Sequence, residues 1–153
     1  MEALPHRYRV KGAGRITGDV ELTADRLTML PSASPAAFDG PGDRWSPETL
    51  LVGAVADCFI LTFRAIAKAS RLSWTSLECE VTGTLDRVDR VTQFTQFDMS
   101  ASLVVPGGVD AEAARHALEK AERNCLISSS LKASIALKAT VTIASATELS
   151  VPA

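Results

Sequence analysis

Two cysteines, Cys58 and Cys125, are the residues whose type and placement could support chemistry, since each lies on the apolar side of a helical pattern. A thiol in apolar surroundings is usually a small packing residue without reactivity. Two thiols that meet in one core can instead form a redox pair, because a sulfenic acid on one condenses with the other to give a disulfide. That reaction needs a Cα–Cα distance of roughly 4.4 to 6.8 Å. From the residues alone, both interpretations stay open.

A reactive Cys58 has to be a thiolate, whereas apolar surroundings raise the pKa of a thiol. An arginine beside the sulfur would lower that pKa again, and a carboxylate can hold the guanidinium by a bidentate contact. Glu48 is the candidate carboxylate. It precedes Cys58 by ten residues, about 15 Å along a helix axis, so it would act through an arginine and not on the sulfur itself. Taken alone, Glu48 also fits an ordinary acid in the first turn of a helix.

The other residues with chemical potential have simpler interpretations. Cys79 alternates with polar residues in a strand pattern, and we expect it to pack in the core. His6 and His116 lie far apart and form no Cys/His zinc spacing. The sequence contains neither a glycine-rich phosphate loop nor a nucleophile elbow. We therefore predict no metal and no cofactor.

The composition is typical of one globular domain over residues 1–153, with 46% hydrophobic residues. A net charge of −2 gives no reason to expect nucleic acid or an anionic membrane as a partner. Asp57, Arg64 and Lys68 interrupt the longest apolar run, so we predict no membrane-spanning segment. The N-terminal residues lack the apolar stretch of a signal peptide. The three cysteines are an odd number, which argues against a secreted disulfide framework, and we expect the protein in the cytoplasm.

A long helix is predicted to carry Cys58. Ser46 is a favourable N-cap, Pro47 suits the first helical position, and the pattern continues to about Arg71. One side of this helix is predicted to consist of Leu51, Val55, Cys58, Thr62, Ala65 and Ala69. Further apolar residues widen that side, which indicates a central helix that is covered by a sheet or by a partner subunit.

Alternating strand patterns flank this helix. A hairpin of Asp19–Thr23 with Arg26–Leu30 precedes it, across a loop from residue 31 to 45. Two long strands follow, with a turn at Asp89–Arg90, and a second helix capped by Asp110 leads to a last strand. We predict an α+β fold in which antiparallel strands pack around the two cysteine-bearing helices. The first helix has more apolar surface than one small sheet can cover, so we also expect a dimer.

The chain resembles the osmotically inducible protein C / organic hydroperoxide resistance (OsmC/Ohr) family in two motifs. These are Ser46–Leu51 leading into Ala56–Phe59, and Asn124–Ser128. The order of strands and helices also agrees, and the resemblance covers about Arg7 to Ala144. Leu126 stands where many active members have proline, and Asp57 directly precedes the first cysteine. The first loop is also short and glycine-poor compared with that of the organic-hydroperoxide subgroup. These departures favour the broader OsmC-like subgroup.

The resemblance implies a thiol peroxidase of oxidative-stress defence that reduces organic hydroperoxides to alcohols. The resemblance implies that Cys58 is the peroxidatic cysteine, which becomes a sulfenic acid. Cys125 is then the resolving cysteine, which closes a disulfide with Cys58. Glu48 matches the carboxylate that holds an arginine against the thiolate. Arg15 is the best match for that arginine, with Arg26 and Arg44 as alternatives. The resemblance further implies an intertwined homodimer and a dithiol reductant of the lipoyl type.

Apolar residues near these motifs are candidates for the substrate site. Phe59, Leu51 and Phe38 could accept an alkyl or aryl chain, which would favour organic peroxides over hydrogen peroxide.

A different function also fits the sequence. If the cysteines are inert, the protein is a non-catalytic dimeric scaffold that binds an apolar small molecule, and if they are oxidised without turnover, it is a redox sensor.

Overall fold

The computed structural model describes residues 3–145 and has the α+β composition that the sequence predicts. The described residues form two compact units, which divide between Leu51 and Val52. Each unit contains one three-stranded sheet. The longest helix, α1 (Pro47–Ser70), begins in the first unit and ends in the second.

The sheet of the first unit is antiparallel, with its strands in sequence order. Its strands are β1 (Lys11–Ala13), β2 (Val20–Thr23) and β3 (Leu30–Ser32). The predicted hairpin is present, since Val20 pairs with Ser32 and Leu22 with Leu30. Its second strand nevertheless starts later than predicted, because Arg26 has a φ of 58° and belongs to the turn. A short 3₁₀ helix, Ala36–Phe38, follows within the predicted loop.

Helix α1 begins where the sequence predicts. The Thr49 N–H donates to Ser46 Oγ at 3.2 Å, and the Ser46 N–H donates to Thr49 Oγ1 at 2.8 Å. This reciprocal pair satisfies two backbone donors of the first turn, as in a capping box. The fully covered side of α1 consists of Val55, Phe59, Phe63 and Ala67.

That covered side differs from the predicted one. Cys58 is half-buried, whereas Ala65 and Ala69 are exposed. The physical reason is size: two phenylalanines remove more apolar area from water than the alanines of the predicted side. Cys58 therefore lies at the border of the core.

The length and composition of α1 would allow it to cross a membrane, contrary to the expectation from its charged residues. The central helix of a folded domain has the same composition. Because α1 buries its phenylalanines within the chain, this single helix is weak evidence for a membrane protein.

The sheet of the second unit has the strand order β4-β5-β6. Its strands are β4 (Ser76–Val88), β5 (Val91–Val105) and β6 (Ser134–Ile143). Asp89 and Arg90 have φ values of 49° and 67° and form the predicted tight turn between β4 and β5. The prediction of antiparallel strands was wrong for β6, which pairs with β5 in parallel. The helical crossover between these two strands returns the chain to the same end of the sheet, and parallel pairing requires such a connection.

The crossover contains helix α2 (Ala111–Arg123) and the short helix α3 (Leu126–Ser129). The Asp110 side chain caps α2, as predicted, by accepting a hydrogen bond from the Glu112 N–H at 2.9 Å. Arg115 Nη1 donates to the Ala139 carbonyl at 2.8 Å and so ties α2 to β6. The core beneath this crossover includes the alternating residues of β5, namely Phe97, Met99, Ala101, Leu103 and Val105.

Candidate active site

Cys58 lies in the middle of α1 and is half-buried. The hydroxyl of Thr62, one helical turn later, lies 4.0 Å from the Cys58 sulfur. The sulfur therefore has a polar neighbour on its own helix and a protein core on one side.

Cys125 occupies a different place from the one predicted. It does not extend the apolar stripe of α2, because that helix ends at Arg123, and Cys125 is instead the N-cap of α3. The Asn124 side chain donates to the Lys120 carbonyl at 2.7 Å and so stabilises the end of α2. Cys125 is fully buried, and it is one of the neighbours that lower the pKa of Cys58. The structure thus brings the two thiols together, and all three cysteines are unbridged.

The surroundings of Cys58 favour its thiolate. Burial raises the pKa of Cys58, but four hydrogen-bond donors outweigh this effect and bring the pKa below its ordinary value. In order of effect, these donors are the Ile127 N–H, the Cys125 thiol, the Thr62 hydroxyl and the Leu126 N–H. Two of the four are backbone groups at the start of α3, where the first N–H groups of a helix have no partner within the helix.

The surroundings of the other two thiols have the opposite effect. Burial and the neighbouring Cys58 raise the pKa of Cys125, although the hydroxyl and N–H of Ser128 oppose this change. Burial and the neighbouring Cys125 raise the pKa of Cys79 to about 11. Within this cluster, Cys58 is the thiol whose surroundings lower its pKa, whereas those of Cys125 and Cys79 raise it.

Sequence reasoning missed the backbone donors. It sought a guanidinium for Cys58, whereas the donors identified on its sulfur in the second unit carry no formal charge. A signal was present in the sequence, because Asn124 directly precedes Cys125 and asparagine favours the end of a helix. The direction in which the following helix points its N–H groups was not visible in the sequence.

Glu48 lies in the first turn of α1. Its Oε2 atom is buried and has no hydrogen-bond partner among residues 3–145. A buried carboxylate oxygen without a partner costs free energy, so this position favours the approach of a cation.

The three candidate arginines differ in their partners. Arg44 contacts Asp19 at 2.9 Å and Asp43 at 3.1 Å, and these carboxylates raise its pKa. Arg26 has a side chain that is 91% exposed, and it contacts Asp25 at 3.4 Å. Arg15 is exposed and forms no ion pair within the described part of the chain. Arg15 is therefore the candidate whose guanidinium is not already committed to a carboxylate.

The predicted substrate residues differ in accessibility. The Phe59 side chain is fully buried, so it belongs to the core and not to an open wall of a site. Leu51 is half-buried on α1, and Phe38 is 52% exposed in the first unit. Sequence reasoning missed a groove of about 490 Å³ between α1 and α2, which is lined by Thr62, Ala65, Ile66, Ala69, Ser70, Ala113, His116, Ala117 and Lys120. Because Thr62 also neighbours Cys58, this groove begins one turn from the sulfur.

Known proteins are similar to this chain in sequence and in fold. The profile of the family described as OsmC-like protein matches residues 40–140. The uncharacterized protein YmaD of Bacillus subtilis is 30% identical over 120 residues, which cover 76% of this chain and 80% of YmaD. The protein named Peroxiredoxin OsmC of Escherichia coli is 28% identical over 120 residues, which cover 78% of this chain and 82% of that protein.

A solved structure has a fold similar to that of this chain. The crystal structure of a Legionella pneumophila protein, described as an organic hydroperoxide resistance protein OsmC, superposes with a TM-score of 0.71 at 25% identity. The alignment covers 92% of this chain and 99% of that chain. The family profile matches most of this chain, and the solved structure has a similar arrangement of strands and helices. This chain therefore belongs to the OsmC-like family.

Proposed function

We propose that this protein is a thiol-dependent peroxidase that reduces organic hydroperoxides to alcohols. The observation that carries the proposal is the half-buried Cys58 thiol, whose pKa is lowered by a group of neighbours that includes the Cys125 thiol. A peroxidase of the two-cysteine type needs a thiolate as nucleophile and a second thiol that can close a disulfide with it. The name of the Escherichia coli relative, Peroxiredoxin OsmC, supports the same reaction class.

The reaction has two steps. The Cys58 thiolate attacks the terminal oxygen of the hydroperoxide, the O–O bond breaks, and the leaving alkoxide takes a proton to become the alcohol. Cys58 is then a sulfenic acid, and the sulfur of Cys125 displaces its oxygen as water to form the disulfide. Cys125 already contributes to the lowered pKa of Cys58 in the reduced protein, which supports its role as the second cysteine.

An arginine that is held by Glu48 would assist the first step. The unpartnered Oε2 atom of Glu48 favours a guanidinium, and a guanidinium would stabilise both the thiolate and the leaving alkoxide. We propose Arg15 for this role, because Arg26 and Arg44 already contact carboxylates.

An organic substrate fits the apolar surroundings of Cys58. The groove between α1 and α2 is lined mostly by apolar atoms of alanine and isoleucine side chains and reaches Thr62. Leu51 and Phe38 remain proposed contacts for the substrate chain. The proposed reductant is a dithiol of the lipoyl type, and the proposed active form is a homodimer.

The test is a count of thiols after addition of cumene hydroperoxide to the fully reduced protein. The parent should fall from three free thiols to one. Cys58→Ser should retain its two remaining thiols, and Cys125→Ser should accumulate a sulfenic acid that reacts with dimedone. Cys79→Ser is the matched control and should lose both of its thiols.

Two results would contradict the proposal. One is a parent that keeps all its thiols in excess peroxide, and the other is Cys58→Ser that consumes peroxide as fast as the parent. Repeated turnover with dihydrolipoamide is the result expected of an enzyme. A single oxidation without turnover would instead favour a redox sensor.

A further inference from the structure

Three consecutive serines of the α3 region differ in what their hydroxyls bond. Ser129 Oγ donates to the Cys125 carbonyl at 2.8 Å, and Ser130 Oγ donates to the Leu126 carbonyl at 2.9 Å. Ser128 is only 8% exposed, and its buried Oγ has no hydrogen-bond partner among residues 3–145. A buried hydroxyl without a partner is costly, so this one calls for an explanation.

The position of Ser128 on α3 supplies that explanation. Cys125 is the N-cap of α3, and Ser128 is the third helical residue. In a capping box, the side chain of the third helical residue reaches back toward the N-cap residue. Ser128 is therefore on the side of α3 that returns toward Cys125, and its buried hydroxyl has no hydrogen bond of regular geometry within residues 3–145.

Whether the Ser128 hydroxyl donates a hydrogen bond to the Cys125 sulfur depends on the ionisation state of that sulfur. A thiol is a weak acceptor, whereas a thiolate is a strong one that shortens and strengthens its hydrogen bonds. In agreement with this arrangement, the Ser128 hydroxyl and N–H lower the pKa of Cys125, against the effects of burial and of Cys58.

We propose that the Ser128 hydroxyl is the hydrogen-bond donor that stabilises negative charge on the Cys125 sulfur when the Cys58–Cys125 disulfide closes and when it is reopened. This inference rests on the proposed function, because it concerns the second cysteine of that reaction. It assigns Ser128 to the resolving step and not to the attack on peroxide.

In the closing step, Cys125 loses its proton and its sulfur attacks the sulfur of the Cys58 sulfenic acid. The S–S bond forms, the S–O bond breaks, and the departing hydroxide takes up a proton to leave as water. Charge develops on the Cys125 sulfur before the attack. The Ser128 hydroxyl donates to that charge and keeps its own proton.

In the opening step, a thiolate of the dithiol reductant attacks the Cys58 sulfur, and the Cys125 thiolate leaves with the electron pair of the broken S–S bond. The second thiol of the reductant then displaces Cys58 and closes the reductant's own disulfide. The reductant loses two electrons and the protein gains two. A stabilised Cys125 thiolate is a better leaving group.

The experiment follows one turnover by rapid mixing of the reduced protein with cumene hydroperoxide. The first phase, formation of the sulfenic acid, is measured with dimedone, and the second phase, loss of both thiols, is measured by alkylation. Ser128→Ala should slow the second phase roughly tenfold, the loss expected for a charge-assisted hydrogen bond, with the first phase at the rate of the parent. Ser129→Ala, whose hydroxyl bonds a carbonyl, is the matched control and should leave the second phase unchanged.

The pH dependence of the second phase separates a donor from a structural residue. Ser128→Ala should move the rise of the second-phase rate to higher pH, because Cys125 loses a group that lowers its pKa. The titratable groups that face Cys125 are Cys58 of α1 and Cys79 of β4, so the profile is repeated with Cys79→Ser as background. Ser128→Thr retains the hydroxyl and should restore the profile of the parent.

The outcomes distinguish the two proposals. Absence of the first phase in the parent would contradict the proposed peroxidase function. A normal first phase, with a second phase in Ser128→Ala as fast as in the parent, would contradict the role of Ser128 alone. Ser128→Ala removes an unpartnered hydroxyl and should unfold at the same temperature as the parent or higher, so slow closure in a stable variant supports the donor role.

Discussion

At the scale of single residues, the three cysteines differ through their hydrogen-bond donors. All three lose hydration on burial, yet only Cys58 has its pKa lowered. The difference comes from the two N–H groups at the start of α3 and from two side-chain donors. Uncharged hydrogen-bond donors can therefore lower the pKa of one thiol among several, in addition to any guanidinium that Glu48 holds.

Leu126→Pro tests the contribution of one of these N–H groups. Proline suits the first position of a helix, Cys125 before it is extended with φ −67° and ψ 117°, and the Leu126 side chain is 77% exposed. The substitution should therefore fold, yet it removes the Leu126 N–H and should raise the pKa of Cys58. The thiolate is then lost over the pH range between the old and the new pKa. We expect alkylation of Cys58 near neutral pH to slow roughly fivefold, the factor for a lost hydrogen bond of about 1 kcal/mol.

Leu126→Ala is the control for this substitution. It shortens the same exposed side chain and keeps the N–H, so the pH profile of alkylation should match that of the parent. An unchanged profile in Leu126→Pro would contradict the role of this backbone donor.

At the scale of elements, a glycine sets how closely α1 approaches the sheet of the second unit. A Cβ atom at Gly83 of β4 would lie 2.8 Å from Cε1 of Phe94 and 2.9 Å from Cγ2 of Val52. Both distances are shorter than van der Waals contact. The absence of a side chain at Gly83 therefore lets the helix that carries Cys58 pack against β4 and β5.

Gly83→Ala should consequently destabilise the fold. Phe94 and Val52 would have to leave their positions to admit a methyl group, which costs about 1–3 kcal/mol in a well-packed core. Urea denaturation would measure this change in the free energy of unfolding. Thr82→Ala, on the exposed face of the same strand, should change it by less than about 0.5 kcal/mol. Equal values for the two variants would contradict the close-packing argument.

At the scale of the whole molecule, apolar residues are distributed unevenly. Every fully buried apolar side chain within residues 3–145 lies beyond residue 52. The first unit instead exposes large apolar side chains, among them Leu4, Tyr8, Val10, Ile16, Leu27, Met29, Phe38 and Trp45. Apolar exposure on this scale is typical of a surface that a partner covers, which supports the proposed homodimer.

A measurement of molar mass by light scattering tests the homodimer. We expect about twice the 16.2 kDa of one chain. The double substitution Val10→Glu and Ile16→Glu places charge on the exposed apolar surface of the first unit and should shift the mass toward that of one chain. A parent that has the mass of one chain at micromolar concentration would contradict this expectation.

The sequence by itself determined the features that depend on neighbouring residues. The caps at Ser46 and Asp110, the turn at Asp89–Arg90, and the alternating core side of β5 were all predicted and are all present. Each of these depends on side chains and dihedral angles within a few positions, so local pattern is sufficient. The family resemblance rests on the same short motifs.

Only the tertiary structure decided the features that depend on where distant segments return. The parallel pairing of β6, the covered side of α1, and the donation from Leu126 and Ile127 to Cys58 all join residues far apart in the chain. The burial of the Ser128 hydroxyl without a partner also depends on the tertiary structure, since it is set by the segments that pack around Ser128. A backbone N–H is identical in every residue type except proline, so its direction toward a sulfur leaves no mark in the sequence.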